Sequence, residues 1–183
     1  MQTFTTSVNL LWSILSVVAE IIAVVLVVGS LCQRFKAGPF FRFFRERGLL
    51  VAFVVSLLAT AGSLIYSNVI GYAPCSLCWF QRIFMYPQVL LMGIALVRKD
   101  SWMKLYGFVF SVIGAAIALY HYTGQLGLSP LPCSAVGVSV SCSERFVMEF
   151  GYITIPMMAF SAFILIAATL FVSLRAEKSE AAN

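Results

Sequence analysis

Five long apolar segments constrain the fold of this chain more than any other feature. They occupy residues 10–31, 49–70, 79–97, 105–122 and 153–174. Each has the roughly 17–25 residues that a membrane-spanning helix needs. Only 10% of the residues are charged, whereas a soluble domain carries about 25%. The sequence therefore predicts an all-α integral membrane protein, with no room for a separate soluble domain and no nucleic-acid-binding module.

The first apolar segment is set apart from the other four. We expect residues 1–48 to form one membrane helix and a basic connector, residues 49–174 to hold the other four spans, and residues 175–183 to form a short tail. A signal peptide carries its cations before its apolar core, but here they follow it, which favours a retained helix. Glu20 interrupts this helix without an identifiable partner, and Cys32 is interpreted as a small buried hydrophobe.

The cations predict the orientation. Only Arg82 and Arg145 fall on one side of the predicted membrane. The other side collects Arg34, Lys36, Arg42, Arg45, Arg47, Arg98, Lys99, Lys104, Arg175 and Lys178. Cytoplasmic loops carry the excess of Lys and Arg. We therefore expect an outside N-terminus, a cytoplasmic C-terminus and cysteine pairs that face outward.

Two thiols and one cation share a helix face where the third span begins. Cys75, Cys78 and Arg82 follow the spacing i, i+3 and i+7, and Pro74 suits a first helical turn. A helix N-terminus and a guanidinium both favour thiolate over thiol. We interpret this Cys-x-x-Cys as a thiol-exchange site. The alternative is that this Cys-x-x-Cys is half of a zinc site. The second cysteine pair argues against that alternative, because no histidine adjacent to it supplies a ligand.

The second pair, Cys133 and Cys142, lies in a long loop rich in Pro, Gly and Ser. It is either a static staple or a mobile arm that relays electrons, and the neighbouring Cys-x-x-Cys favours the relay. Arg82 lies about one turn inside its span, where it either snorkels to headgroups or serves function. His121, the only histidine, is either a hydrogen-bonded interfacial residue or a group that binds an acceptor or delivers protons.

Two cysteine pairs cannot oxidise a substrate repeatedly without an electron acceptor. Each pair accepts two electrons and then stops. The chain has no haem, flavin, nicotinamide or iron–sulfur motif. A lipid-soluble quinone enters a pocket among helices without needing such a motif, so the sequence is compatible with a quinone.

The chain resembles the DsbB family of disulfide bond formation proteins over about residues 49–174. The resemblance rests on the motif Pro-Cys-Ser-Leu-Cys-Trp-Phe-Gln-Arg at 74–82, on His121-Tyr122-Thr123, on Cys133 and Cys142-Ser143-Glu144-Arg145, and on the last span with Pro156. It implies a four-helix transmembrane bundle, a bound quinone (ubiquinone or menaquinone) and a DsbA-like thioredoxin-fold partner. The segment 1–48 departs from the family pattern as one additional N-terminal transmembrane helix.

Roles for the cysteines are implied by the resemblance alone. Cys133 would form the mixed disulfide with the partner, and Cys142 would pass electrons to Cys75. Cys78 would be the thiolate that faces the quinone. Arg82 and His121 fall where the family's quinone-associated residues stand, and the site would be in the bacterial inner membrane, facing the periplasm.

Two other function classes stay open at this point. One is a quinone reductase of the vitamin K epoxide reductase type, in which electrons flow the other way, although its quinone-facing Cys-x-x-Cys comes later in the chain. The other is a non-enzymatic thiolate metal-binding membrane protein. Because we favour the oxidase, we expect no metal.

Overall fold

The part of the chain that the structure describes forms five α-helices. The computed structural model describes residues 2–31, 38–98, 100–130 and 141–181. The helices are α1 (Gln2–Leu31), α2 (Pro39–Leu64), α3 (Ser76–Arg98), α4 (Trp102–Gln125) and α5 (Ile155–Ala181). All five are long and apolar enough to cross a membrane. The β structure of the described residues is one isolated bridge, Glu149 to Ile153. The predicted all-α membrane class is confirmed.

The helices extend further than the apolar segments that predicted them. α2 begins at Pro39, so part of the expected connector is helical, and a π-helical turn at Ile65–Val69 continues this helix outward. α3 passes through Pro87 as a continuous helix. α5 includes most of the expected tail. Outside the described residues lie Cys32, Arg34, Lys36 and Lys99.

The helix α5 is central to the bundle. It packs against α1, α2 and α4, while α3 lies between α2 and α4. Phe163, Ile166 and Leu170 of α5 are fully buried together with Met92 of α3. Gly114 allows the close approach of α4, because a Cβ there would lie 2.3 Å from the Phe163 ring. Small residues of this kind permit the tight helix contacts of membrane bundles.

The helix α1 lies outside the four-helix ring, along α5 and the start of α2. Ala23 and Leu26 are buried with apolar residues of both neighbours. Glu20 is tied to the rest of the protein at this interface. The Tyr152 hydroxyl donates to its Oε2 at 3.0 Å, and the Ser161 hydroxyl donates to its Oε1 at 2.7 Å. The structure therefore supplies the partners that sequence reasoning did not identify.

The segment 141–154 corrects one expectation. Within it, the sequence of residues 143–150 mixes charged and apolar side chains at a spacing that predicts a helix on the membrane surface. The structure shows turns instead, with Phe150 at φ 52° and Gly151 at φ 77°. The Phe146 ring stacks on Tyr72 at 4.7 Å, and Val147 is buried. Packing of these side chains onto the bundle outweighs the helical pattern.

Candidate thiol–disulfide site

Cys75 stands at the entry to α3. The π turn ends α2, Gly71 turns the chain at φ 89°, and the chain then passes Pro74. The Cys75 carbonyl accepts the first helical hydrogen bond from the Trp79 amide at 3.2 Å. Cys75 is therefore the residue that caps the helix, and the partial positive charge of the helix N-terminus acts on its sulfur.

The two sulfurs of the Cys-x-x-Cys are in contact. Both cysteines are free thiols, and their Sγ atoms lie 3.3 Å apart. Cys75 is 4% exposed, so its sulfur is shielded from bulk solvent. The pair is held within reach of disulfide formation, which requires only a short approach of the two sulfurs.

His121 joins this pair to the second cysteine loop. Its Nε2 lies 3.7 Å from the Cys75 Sγ and 3.1 Å from the Cys142 carbonyl oxygen. The Gln81 amide donates to Nδ1 at 3.1 Å, so Nε2 carries the ring proton and is the donor toward Cys75 and Cys142. His121 is 2% exposed. The only histidine of the chain is thus a buried bridge between the two cysteine-bearing segments.

Cys142 is close enough to Cys75 for sulfur exchange. The Cys75 sulfur, a His121 ring nitrogen and the Cys142 sulfur all lie within 4.8 Å of one another. Cys142 is fully buried and is engaged in a disulfide, whose other half is not among the described residues. Cys133, the other predicted site residue of this loop, also lies outside them.

These surroundings favour the Cys75 thiolate. Cys75 precedes the membrane-spanning part of α3. The pKa of Cys75 is lowered to about 4: the hydrogen bond with Cys78 is the largest cause, burial opposes it, and the hydrogen bond from His121 also lowers it. A thiol of such low pKa is ionised at neutral pH and leaves readily from a disulfide.

Arg82 is fixed on the wall of the same site. Its Nε donates to the Ser63 hydroxyl at 3.0 Å and its Nη2 donates to the Ser63 carbonyl at 3.2 Å. The guanidinium lies 5.0 Å from the Trp79 ring centroid, and the Tyr86 hydroxyl also bonds to Ser63. These contacts hold the cation against α2 at the wall of the site.

A cavity of about 290 Å³ connects these groups. Its lining contains all the predicted site residues that the structure describes: Cys75, Cys78, Arg82, His121 and Cys142. Most of the remaining lining is apolar side chains of α1, α2 and α5. Gln125 and Thr154 are among the lining residues, but their Oε1 and Oγ1 atoms are buried beneath the cavity surface and have no hydrogen-bond partner in the described part of the chain.

Sequence reasoning missed the polar residues that position the predicted ones. Gln81 orients the His121 ring, and Ser63 holds the Arg82 guanidinium. The available signal was a polar residue inside an apolar span, since buried polar groups in a membrane are costly unless they are paired. Sequence alone did not show which ring or cation each would meet.

Five apolar spans around a buried pair of thiols and a neighbouring disulfide define a membrane-embedded thiol–disulfide oxidoreductase. The family model "Disulfide bond formation protein DsbB" matches residues 45–173. The chain belongs to the DsbB family of disulfide bond formation proteins.

Its relatives agree with that assignment. The chain is 44% identical over 135 residues to the disulfide bond formation protein C of Bacillus subtilis, covering 72% of this chain and 95% of the relative. It is 41% identical over 131 residues to a probable disulfide formation protein C of Bacillus cereus, covering 72% and 94%. A probable disulfide formation protein of Oceanobacillus iheyensis is 45% identical over 122 residues, covering 66% and 84%. No solved structure matches the chain.

Proposed function

We propose that this protein is a quinone-dependent thiol oxidase. It reoxidises an extracytoplasmic thioredoxin-fold dithiol oxidase of the DsbA type and passes the electrons through two cysteine pairs to a membrane quinone. The observation that supports this most is the juxtaposition of the Cys75 sulfur, His121 and the Cys142 sulfur within 4.8 Å. Two redox pairs at this separation exchange a disulfide without large movement.

The relay proceeds by disulfide exchange. The reduced partner attacks Cys133 of a Cys133–Cys142 disulfide, which forms a mixed disulfide and releases the Cys142 thiolate. That thiolate attacks Cys75 of a Cys75–Cys78 disulfide, so that a Cys75–Cys142 bond forms and Cys78 leaves as thiolate. The second partner thiol releases Cys133 as the partner's own disulfide closes. Cys133 then attacks Cys142, and Cys75 leaves.

Two electrons then reside on the Cys75–Cys78 dithiol. This is the state of the described sulfurs, with both thiols free and Cys142 in a disulfide. The low pKa of Cys75 suits its role as the leaving group in the last exchange, because a more acidic thiol leaves faster. The His121 Nε2–H stabilises the charge that develops on that sulfur.

The cavity has the chemistry of a quinone site. Its volume of about 290 Å³ is near the lower end of the roughly 300–1,000 Å³ of ligand pockets, and its lining is mostly apolar. A bound quinone supplies the electron sink, because it takes two electrons and two protons per dithiol oxidised.

The residues that would hold this acceptor are Arg82 and His121. Arg82 offers positive charge toward the cavity and is fixed by Ser63, so it needs no reorganisation when charge develops on an oxygen nearby. We assign the acceptor-facing sulfur to Cys78, which lies one helical turn before Arg82 and lines the cavity. Closure of the disulfide at neutral pH releases the Cys78 proton, because Cys75 is already a thiolate.

The same proposal fixes an orientation and a location. We place residues 1–48 as an added helix and connector ahead of the bundle 49–174, in the cytoplasmic membrane of a bacterium. The N-terminus and both cysteine pairs face outward, and the tail 175–183 is inside. The distribution of cations supports this orientation.

Anaerobic turnover tests the proposal. Purified protein is mixed with a reduced thioredoxin-fold dithiol oxidase and a water-soluble ubiquinone analogue, and quinone absorbance is followed. We expect one quinone reduced per partner disulfide formed. Cys78→Ser and Cys142→Ser should abolish turnover, whereas Ser76→Ala, which changes the residue between the two thiols, should not. Partner oxidation that continues without quinone beyond the two equivalents that the cysteine pairs can accept, or quinone that stays oxidised, refutes the function.

One observation favours a second candidate, a metal-binding protein. The sequence argument against a metal was that no histidine is adjacent to the loop cysteine, but the structure brings His121 between Cys75 and Cys142. One nitrogen and two or three thiolates form a common zinc set. Elemental analysis of protein purified without chelator separates the candidates. Stoichiometric zinc with reduced thiols in the cell favours the metal-binding protein, and its absence with active turnover favours the oxidase.

A further inference from the structure

The cavity beside the cysteines is bounded on one side by α1. Six residues of this helix line it, mostly at helical spacing: Trp12, Leu15, Ser16, Val18, Ala19 and Ile22. The opposite wall carries the cysteines, Arg82 and His121. The cavity therefore has a polar end, where the sulfur chemistry lies, and an apolar side that α1 supplies.

Ser16, a polar residue on the α1 side of the cavity, does not offer a free hydroxyl to it. The Ser16 hydroxyl donates to the Trp12 carbonyl at 2.8 Å, so its hydrogen bond is made within the helix. The Trp12 ring lies against α2, since a Cβ on Gly62 would be 3.0 Å from it. A surface made mostly of hydrocarbon, on which the Ser16 hydroxyl is already hydrogen-bonded, suits a hydrocarbon chain better than a quinone ring.

The family match does not account for this wall. The matched residues begin at position 45, whereas α1 ends at Leu31. The Bacillus cereus relative is covered over 94% of its own length by an alignment that takes in 72% of this chain. This relative therefore has few residues beyond those that align with this chain. The α1 wall is therefore an addition of this chain to a site built by the bundle.

A hydrogen-bonded clasp keeps α1 in place. Glu20 accepts from Tyr152, just before α5, and from Ser161 within α5. Hydrogen bonds to a carboxylate are stronger than neutral ones. The clasp lies one residue beyond Ala19, so it fixes the rotation and height of the stripe that faces the cavity.

We propose that α1 is the tail-binding wall of the acceptor site: Trp12 and its neighbours on α1 bind the isoprenoid or alkyl chain of the quinone. The α1 wall thereby makes affinity depend on tail length. The inference rests on the proposed quinone-dependent function and adds which residues recognise the apolar part of the acceptor. Trp12 acts through binding and not in the electron transfer itself.

Tail-length dependence tests this inference. The apparent KM of the full-length protein is measured for a decyl-tailed quinone and for the same ring without a tail. Trp12→Ala should raise the KM for the tailed quinone about tenfold, a change of ~1.4 kcal/mol. It should leave the KM for the tailless quinone within about twofold. Trp102→Ala, a substitution at a tryptophan 75% exposed at the other end of the bundle, is the matched control and should change neither.

A binding readout independent of turnover uses tryptophan fluorescence. One variant keeps Trp12 alone (Trp79→Phe with Trp102→Phe), and another keeps Trp102 alone (Trp12→Phe with Trp79→Phe). We expect saturable quenching of Trp12 by the decyl-tailed quinone and no saturation for Trp102. Equal quenching of the two, or an unchanged tailed-quinone KM in Trp12→Ala, overturns the role of α1. If wild-type protein reduces no quinone at all, the proposed function itself has failed.

Discussion

Removal of the Cys78 thiol should return the Cys75 thiol toward ordinary acidity. The hydrogen bond from Cys78 is the largest cause of the low Cys75 pKa, and burial of Cys75 acts in the opposite direction. In Cys78→Ala the hydrogen bond from His121 is the one remaining side-chain contact that offsets the burial of Cys75. We therefore expect the Cys75 pKa to rise from about 4 to ~7 or higher, toward its ordinary value of 9.0.

The magnitude follows from the thiolate fraction. A thiol with a pKa of about 4 is ~99% ionised at pH 6, and one with a pKa of ~7 is about 10% ionised. The thiolate is the reactive form, so the Cys75 alkylation rate of the wild type should persist down to about pH 4 and fall below it. In Cys78→Ala it should already fall about tenfold at pH 6.

The assay is alkylation of fully reduced protein by iodoacetamide, read on the Cys75 peptide by mass spectrometry between pH 3 and pH 9. Fragment ions that break this peptide between positions 75 and 78 assign the alkylated sulfur, because Cys78 lies on the same peptide in the wild type. Ser76→Ala keeps the sulfur contact and should keep the wild-type midpoint. Coincident midpoints for wild type and Cys78→Ala would refute the reasoning, since the thiol contact would then not govern the Cys75 charge.

Three further changes have defined outcomes. Arg82→Gln should raise the apparent KM for quinone about tenfold, because a charge-assisted hydrogen bond contributes about 1.5–3 kcal/mol. The KM for the protein partner should stay unchanged. An unaltered KM for quinone would show that Arg82 does not bind the acceptor. Gly114→Ala should destabilise the bundle by about 1–3 kcal/mol, because its Cβ would lie 2.3 Å from the Phe163 ring. Thermal unfolding in detergent should show this loss, and the control Val112→Ala, on the exposed face of α4, should have a smaller effect. Ser161→Ala should loosen α1 at Glu20 and weaken tailed quinones more than tailless ones in the steady-state assay.

Length and hydropathy were sufficient to predict the five spans, because a membrane helix must be long and apolar whatever it packs against. They could not place the helix ends. A helix begins at Pro39, within the basic segment that was predicted to be a connector. Helix α5 continues past position 174 into the predicted tail. The segment 141–154 shows most clearly what a local pattern cannot predict. Its residue spacing predicts a helix, but its structure is set by contacts with residues distant in sequence, such as the stacking of Phe146 on Tyr72.

Contacts between candidate site residues were predictable where both residues lie on one helix face, and less so where several helices meet. The spacing of Cys75 and Cys78 set their contact at the start of α3. The approach of His121 to Cys142 depends on how α4 and the loop at 141–154 pack, which no local pattern encodes. The partners of Glu20 were hidden for the same reason, as Ser161 is 141 positions away in sequence.

The central claim is that the two cysteine pairs form one relay joined at Cys75 and Cys142. Trapping tests it most directly. In Cys78→Ser the Cys75 thiolate has no partner at position 78 and should attack Cys142 of the Cys133–Cys142 disulfide, so that a Cys75–Cys142 disulfide forms and Cys133 leaves as a thiolate. Peptide mapping of this variant under non-reducing conditions, before any reduced partner is added, should then find the peptides of Cys75 and Cys142 joined. If the two peptides are recovered only as separate species, the two pairs do not exchange and the relay is wrong.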